Sequence, residues 1–469
     1  MATPTTNFVP FSFVSPGDTG EARYLVEGTK WGGGLGQGVE LTYSFPSGDI
    51  AYFLSIYGDS EPDSWVALNQ AERTAVERAL EDWADVADID FVRVSDNQST
   101  VGELRFAFSE AVDFADAYAY AYFPWSDPEA GDVWFSYDFN TTSPNSVPRG
   151  GYDYLTMSHE IGHALGLKHP FESPNKIPNK FDNFFYTIMS YTASPWSDDG
   201  DNFATFYPTT PMFYDYLAIQ ALYGAEPRNK HGDTVYRYEQ GEHYWETIYD
   251  TGGDDKIVFQ GSRDTEINLN PGRFSALSDT IEFNGGKSRE TLTIGPDVEI
   301  EDAKGGRGDD KLIGNGLNNV LEGMDGKDVL YGRGGNDRLI GGKQGDRLLG
   351  ESGNDVLNGG AGKDVMRGGG GRDRFDFDSP SDSGTGRKAD DIIGFSRSQD
   401  DVIDVRDVAR GKLDFIRGKK FSDKGDGEVR IDDKGRDVTV KIDVNGDGRT
   451  DMAIDVEGVG KLTAGDFLL

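Results

Sequence analysis

The 469-residue chain carries 82 acidic against 46 basic residues, a formal charge of −36, and no cysteine. That excess excludes nucleic acid and anionic membranes as partners, since both select basic patches, and no disulfide can staple the fold in any compartment. The length admits two or three domains, and no apolar run approaches the roughly 18 residues of a membrane span, so no stable membrane insertion is expected.

In chain order, Met1-Ala2-Thr3-Pro4-Thr5-Thr6 shows no basic stretch followed by an apolar core, so no cleavable export signal is read there. Residues 38–46 alternate as a strand should, following a glycine-rich run. Asn69-Gln70-Ala71-Glu72 reads as a capping box, and Val76, Leu80, Trp83 and Ala87 form an apolar stripe at helical spacing. Strands are expected over 89–94 and 104–108. Tyr118, Tyr120 and Tyr122 alternate with Ala117, Ala119 and Ala121, a period-two pattern that predicts a strand with one aromatic face, for which core packing is the plain reading.

The chain has five histidines, and three of them, His159, His163 and His169, fall within eleven residues. On a helix His159 and His163 lie one turn apart on one face, so both imidazoles reach a single ion. His169 joins them only if the helix ends first, because ten more residues would carry it to about 280° from His159. Gly166 stands where that exit is needed. Three neutral imidazoles with an open position describe one catalytic zinc rather than a closed structural site. Glu160 projects beside the same face, placed to take a proton from metal-bound water.

Residues 212–224 carry a further helical stripe closed by Gly224, and a domain boundary is placed just beyond, giving domains 1–226 and 227–469. Past it the composition shifts toward Gly and Asp. From Gly305 a nine-residue frame repeats, with starts at 305, 314, 323, 332, 341, 350, 359 and 368. Its sixth slot holds Asp310, Asp328, Asp337, Asp346, Asp355, Asp364 and Asp373, with Asn319 the exception. The eighth slot is always apolar: Leu312, Leu321, Leu330, Leu339, Leu348, Leu357, Met366 and Phe375. This is the repeat of calcium-binding parallel β-helices. Glycines such as Gly305 and Gly306 permit the tight turn, aspartate supplies a hard anionic oxygen and the apolar residue anchors a short strand. Several calcium ions are expected, with weaker or absent sites at Asn319 and in the frame containing Gln344. Asp443, Asn445, Asp447 and Asp451 place oxygens at positions 1, 3, 5 and 9 of a loop whose position 12 is Ile454, so it is no EF-hand; a bound ion and a plain polar turn both remain open.

The run from His159 to His169 matches H-E-x-x-H-x-x-G-x-x-H, and the chain resembles the metzincin zinc metalloproteases; Pro170 after the third histidine resembles the serralysin branch. The resemblance implies an α/β metzincin catalytic domain followed by an all-β parallel β-roll. It makes residues 186–191 a Met-turn, with Met189 as the floor under the zinc and Tyr191 stabilising the oxyanion. It makes Ala119, Tyr120, Ala121 and Tyr122 an edge strand to which substrate backbone adds, and hence implies broad specificity. Residues 230–234, Asp250, Gly252, Gly253, Asp255 and Glu301 resemble a further calcium cage; His231 and His243 are then structural. The ending Asp466-Phe467-Leu468-Leu469 resembles an uncleaved type I secretion signal.

The expected function is a secreted, extracellular, monomeric zinc endopeptidase acting on proteins and peptides, folded by calcium and exported by a type I apparatus. Two rivals stand beside it. One is a calcium-dependent surface or adhesion protein whose metal site has lapsed; the other is a narrow-substrate enzyme, such as a toxin-like protease or a peptidoglycan hydrolase.

Overall fold

The computed structural model of the chain describes residues 9–48, 61–97, 99–139, 146–198, 200–227, 232–422 and 427–469, the side chain of Pro62 left aside. It divides into two compact units. One comprises Met1–His231, His243–Thr251 and Thr280–Val298; the other comprises Gly232–Glu242, Gly252–Asp279 and Glu299–Leu469.

The elements of the first unit that position the histidines are β1 (Phe11–Phe13), β2 (Thr29–Trp31), β3 (Val39–Ser44), α1 (Gln70–Ala84), β4 (Ile89–Arg93), β5 (Leu104–Phe108), α2 (Glu110–Phe114), β6 (Ala119–Ala121), β7 (Asp132–Phe135), α3 (Tyr152–Ala164) and α4 (Phe213–Tyr223). Five strands form one sheet in the order β4-β3-β5-β7-β6. All pairs are parallel except the last, where β6 runs antiparallel to β7 at the sheet edge. The alternating tyrosine pattern thus yields a strand of only three residues.

Helix α1 starts on the expected capping box: the Asn69 side chain accepts from the Glu72 amide at 3.1 Å, and the Glu72 carboxylate accepts from the Asn69 amide at 2.7 Å. Its stripe of Val76, Leu80 and Trp83 is buried, together with Ala87 beyond its end. Trp83 Nε1 donates to the Ser158 carbonyl at 3.0 Å, and Asp82 accepts from both Tyr154 and Arg149, so α1 grips α3 at two points. Helix α3 stops at Ala164, and Gly166 takes φ +103°. A Cβ there would lie 2.3 Å from the Thr29 carbonyl oxygen, so only glycine fits this exit.

The second unit holds two parallel sheets. Lys311–Ile313, Val329–Gly334, Arg347–Ser352 and Val365–Gly370 are successive strands of one; Val320–Asp325, Arg338–Lys343, Val356–Ala361 and Arg374–Asp376 are successive strands of the other. Each nine-residue frame therefore crosses from one sheet to the other, and each pair of frames climbs one rung. Leu321, Leu339, Leu357 and Phe375 stack in register, as do Leu312, Leu330, Leu348 and Met366, and all eight are 0% exposed. The eighth slot is the core of the roll.

The fold is thus an α/β domain followed by an all-β parallel β-roll. One of its sheets runs on into an antiparallel meander of Glu428–Asp433, Val438–Asp443 and Met452–Glu457, with Asp414–Arg417 parallel to the first of these at the edge. The Asp443 loop is the last turn of that meander, and the Asp443 carboxylate accepts from the amides of Gly446 and Gly448, both at 2.7 Å.

Candidate metal centre

The early helix exit brings His169 back against the two helical histidines. His169 Nε2 lies 3.3 Å from His159 Nε2 and 3.0 Å from His163 Nε2. Each imidazole is oriented by a partner on its other nitrogen. His159 Nδ1 donates to the Ile188 carbonyl at 2.7 Å, His163 Nδ1 to the Leu167 carbonyl at 2.6 Å and His169 Nδ1 to Glu172 Oε1 at 2.6 Å. With Nδ1 committed as donor, every Nε2 carries a lone pair, and three such lone pairs point at one another. Neutral imidazoles would repel in that arrangement, and a shared cation relieves it. Among the described residues this is the one cluster of three or more His, Cys, Asp or Glu with ligand atoms that converge on a single point.

Burial keeps the imidazoles neutral, the form that binds metal. It pushes His159 down to about 3, with His169 adding to the effect, and His163 well below the usual range, with His159 and His169 contributing. His169 is also lowered by burial, opposed by Glu172.

Glu160 follows the first histidine on α3 and is 6% exposed, with Oε2 lacking a hydrogen-bond partner among the described residues. Burial pushes its carboxyl up to about 8. It lines a hollow of about 340 Å³ with His159, Tyr118, Tyr152, Phe184 and Tyr191. The Tyr191 ring stands 5.7 Å from His159 and 4.6 Å from His169, half exposed, and burial followed by Glu160 pushes its hydroxyl up to about 12. Met189 is fully buried under α3: a Cβ on Gly162 would meet its sulfur at 2.7 Å.

The segment bearing Met189 and Tyr191 is pinned by a residue that spacing alone does not single out. Asp215, on α4 and fully buried, accepts from Thr187 Oγ1 at 2.6 Å and from the amides of Ile188 and Met212, both at 2.8 Å. Because the Ile188 carbonyl receives His159, Asp215 positions a histidine through one residue. Its signal in the sequence is an acid at the third position of a helix whose first turn has no other anion.

The family model described as Peptidase M10 serralysin C terminal matches residues 220–469, more than half of the chain. The chain belongs to the serralysin family. A second model, Matrixin, matches residues 55–181, which include the three histidines. Among relatives, a protein named serralysin from Photorhabdus laumondii is 33% identical, the match covering 56% of this chain and 58% of that one. A serralysin from a Photorhabdus species is 32% identical over 62% of each chain. Serralysin C of Dickeya chrysanthemi is 32% identical over 61% of this chain and 62% of its own. The chain thus matches less than two thirds of the length of these relatives. Among solved structures it is similar to the AlgE6R3 subunit of the Azotobacter vinelandii mannuronan C5-epimerase, at 27% identity and a TM-score of 0.23, covering 37% of this chain and 81% of that one.

In the roll, the sixth-slot residues form two ladders. The amides of Asp310, Asp328 and Asp346 donate to Oδ1 of Asp328, Asp346 and Asp364, eighteen residues on, at 2.7–2.8 Å. Asn319, Asp337 and Asp355 do the same to Asp337, Asp355 and Asp373 at 2.8–3.0 Å. The second oxygen of Asp328, Asp337, Asp346, Asp355, Asp364 and Asp373 is buried without a partner among the described residues. Each first-slot glycine makes room for it: a Cβ on Gly323, Gly332, Gly341, Gly350, Gly359 or Gly368 would lie 2.0–2.4 Å from that oxygen. Asp310 differs, since Thr265 donates to its Oδ1 and the Gly306 amide to its Oδ2. Gly305 presses on the same carboxylate.

Both ladders continue where the nine-residue frame has lapsed. The Asp364 amide donates to Asp390 Oδ1 and the Asp373 amide to Asp401 Oδ1, each at 3.0 Å. Spacings of 26 and 28 residues hide them, but the Asp-x-apolar triplet persists in Asp390-Asp391-Ile392 and Asp401-Val402-Ile403.

Upstream, Asp255 Oδ1 accepts from the Thr234 amide and Glu301 Oε2 from the Asp255 amide, both at 2.7 Å. Gly252 and Gly253 take φ +131° and +143°, and Asp250 is buried, accepting from the Thr251 amide. Lys230 and His231 of the expected cage lie outside the described residues. His243 stacks on Phe206 at 5.5 Å.

Proposed function

We propose that the chain is a zinc-dependent endopeptidase that hydrolyses peptide bonds in proteins with broad specificity, acts outside the cell and is folded by calcium. The observation that carries this reading is the convergence of three Nε2 lone pairs beside a buried carboxylate with a partnerless oxygen. The donor set fits zinc: His159, His163 and His169 would hold it, and when bound it would supply Lewis acidity toward a carbonyl and lower the pKa of water.

The protein's own groups do the rest. Glu160 takes the proton of the attacking water and hands it to the leaving amine; its burial makes the carboxylate a stronger base than one in solvent. Tyr191 stays a phenol across the working pH range and donates to the carbonyl oxygen as negative charge develops there. Glu172 and the carbonyls of Ile188 and Leu167 hold the histidines in the tautomer that leaves Nε2 free. Strand β6 pairs with β7 on one side, and its other edge, over Ala119, Tyr120 and Ala121 and on to Tyr122, receives substrate backbone. Recognition through main-chain bonds tolerates varied side chains, which supports broad specificity.

The buried, partnerless aspartate oxygens of the roll support calcium as the second cofactor, because hard anionic oxygens out of water need a cation. At low cytoplasmic calcium the roll would remain unfolded and suited to export by a type I apparatus; calcium outside would fold it. No helix among the described residues is long and apolar enough to cross a membrane.

The test is Glu160→Gln. It should bind zinc at the wild-type ratio, measured by atomic emission, and lose proteolysis by at least about a hundredfold. A zinc-loaded variant that cleaves protein at the wild-type rate would contradict the assignment of the base.

A further inference from the structure

At the opposite end of β6 from the Glu160 hollow lies a second one, of about 420 Å³, walled by Phe13, Tyr122, Phe123 and Trp125. Its rings are held as fixed faces. Trp125 is stacked on by Phe11 and met edge-on by Phe13, each at 5.2 Å, and the Tyr122 hydroxyl donates to Glu61 Oε1 at 2.6 Å. Phe13 and Trp125 nevertheless remain 72% and 44% exposed.

Between these rings the hollow is acidic. Glu27, Asp127 and Glu129 line it and, among the described residues, no lysine or arginine does. Glu129 Oε2 is shut away from solvent with no hydrogen-bond partner among the described residues. Glu27 is pushed up by burial and then by the charge of Glu172, with Lys168 opposing, so the negative field there is only partly compensated. Aromatic faces in a hollow lined by carboxylates are the chemistry that takes an organic cation.

The hollow borders the metal centre on two sides. Phe123 stands edge-on to His163 at 5.4 Å, and the Glu27 amide donates to the carbonyl of Gly166, in the turn between His163 and His169, at 3.0 Å. A peptide laid along β6 and across the histidines therefore reaches one hollow on each side of the scissile bond.

We propose that the Phe13–Trp125 hollow is a subsite for a lysine or arginine side chain of the peptide substrate, so that a protease tolerant elsewhere prefers a basic residue at one position. This rests on the protease reading above. The aliphatic stem would lie on the Trp125 and Phe123 faces while the charged head meets Glu129 and Glu27.

The experiment uses full-length, calcium-folded, zinc-loaded protein and internally quenched peptides that differ by lysine, norleucine or glutamate at each of four positions on either side of the scissile bond. Lysine should exceed norleucine about tenfold in kcat/KM at a single position, chiefly through KM, with glutamate poorest there. Glu129→Gln and Trp125→Ala should each cut that ratio to below about threefold. If the peptides are cleaved and no position favours lysine by more than twofold, the subsite is overturned. If none is cleaved, that failure belongs to the protease reading. Fluorescence anisotropy of the same peptides on Glu160→Ala then decides the subsite without turnover: tighter binding of the lysine peptide supports it and equal binding of lysine and norleucine peptides overturns it.

Discussion

Asp215 and Glu172 show how much of the centre rests on side chains that are not ligands. Burial pushes Asp215 up to about 7 against the pull of its three donors, and Asp215→Asn would turn an amide N–H₂ toward at least one of them. A cost of about 1–3 kcal/mol follows, read as a lower melting temperature, with weaker zinc retention because His159 loses its fixed carbonyl. Glu172→Ala removes the partner of His169 Nδ1 and should weaken zinc binding about 10- to 100-fold in chelator competition; unchanged affinity would assign Glu172 a surface role. The three histidines and Glu160 were legible because their spacing lies within a single turn and its exit. Asp215 and the Ile188 carbonyl were not, because their roles arise from contacts between segments whose separation leaves no periodic trace; Glu172 stands only three residues from His169, but in a turn outside the histidine motif.

The elements divide the same way. The α1 cap, the strand over residues 104–108 and the eighth-slot leucines follow from local pattern, since each is set within a few residues. The roll departs from its repeat where one rung is held without an acid. Asn319 Oδ1 stands against Gly314, where neighbouring aspartates present a bare oxygen, and accepts there from the Asn315 amide at 2.9 Å, while Nδ2 donates to the Glu301 carbonyl at 2.7 Å and to Asn315 Oδ1 at 3.0 Å. Asn319→Asp should therefore add one calcium ion to the stoichiometry measured by titration calorimetry and weaken the roll in chelator. Unchanged stoichiometry would mean that this rung lacks the other ligands an ion needs.

Across the whole molecule, folding should depend on calcium and on pH with a definite sign. In the metal-free roll, burial pushes Asp346 and Asp390 up to about 8, Asp328, Asp337 and Asp364 to about 7, and Asp373 to about 6. These lie above the unfolded value of about 3.9, so the folded roll binds protons more tightly than the unfolded chain. Their contribution is full below about pH 4 and lost as pH rises through 6–8. In chelator the folded fraction of the roll should fall between pH 5 and pH 8, toward the unfolded chain expected at low cytoplasmic calcium; in millimolar calcium the ions replace the protons and the fall should disappear. A chelated roll more stable at pH 8 than at pH 5 would contradict this account.

The central claim, that three imidazoles and a buried glutamate make this chain a zinc endopeptidase, is tested most directly by cleavage of denatured casein by the purified, calcium-folded protein, with and without phenanthroline. Cleavage is expected, abolished by the chelator and restored by added zinc. Cleavage that persists after zinc has been removed, or its absence from a calcium-folded protein carrying one zinc, would contradict it.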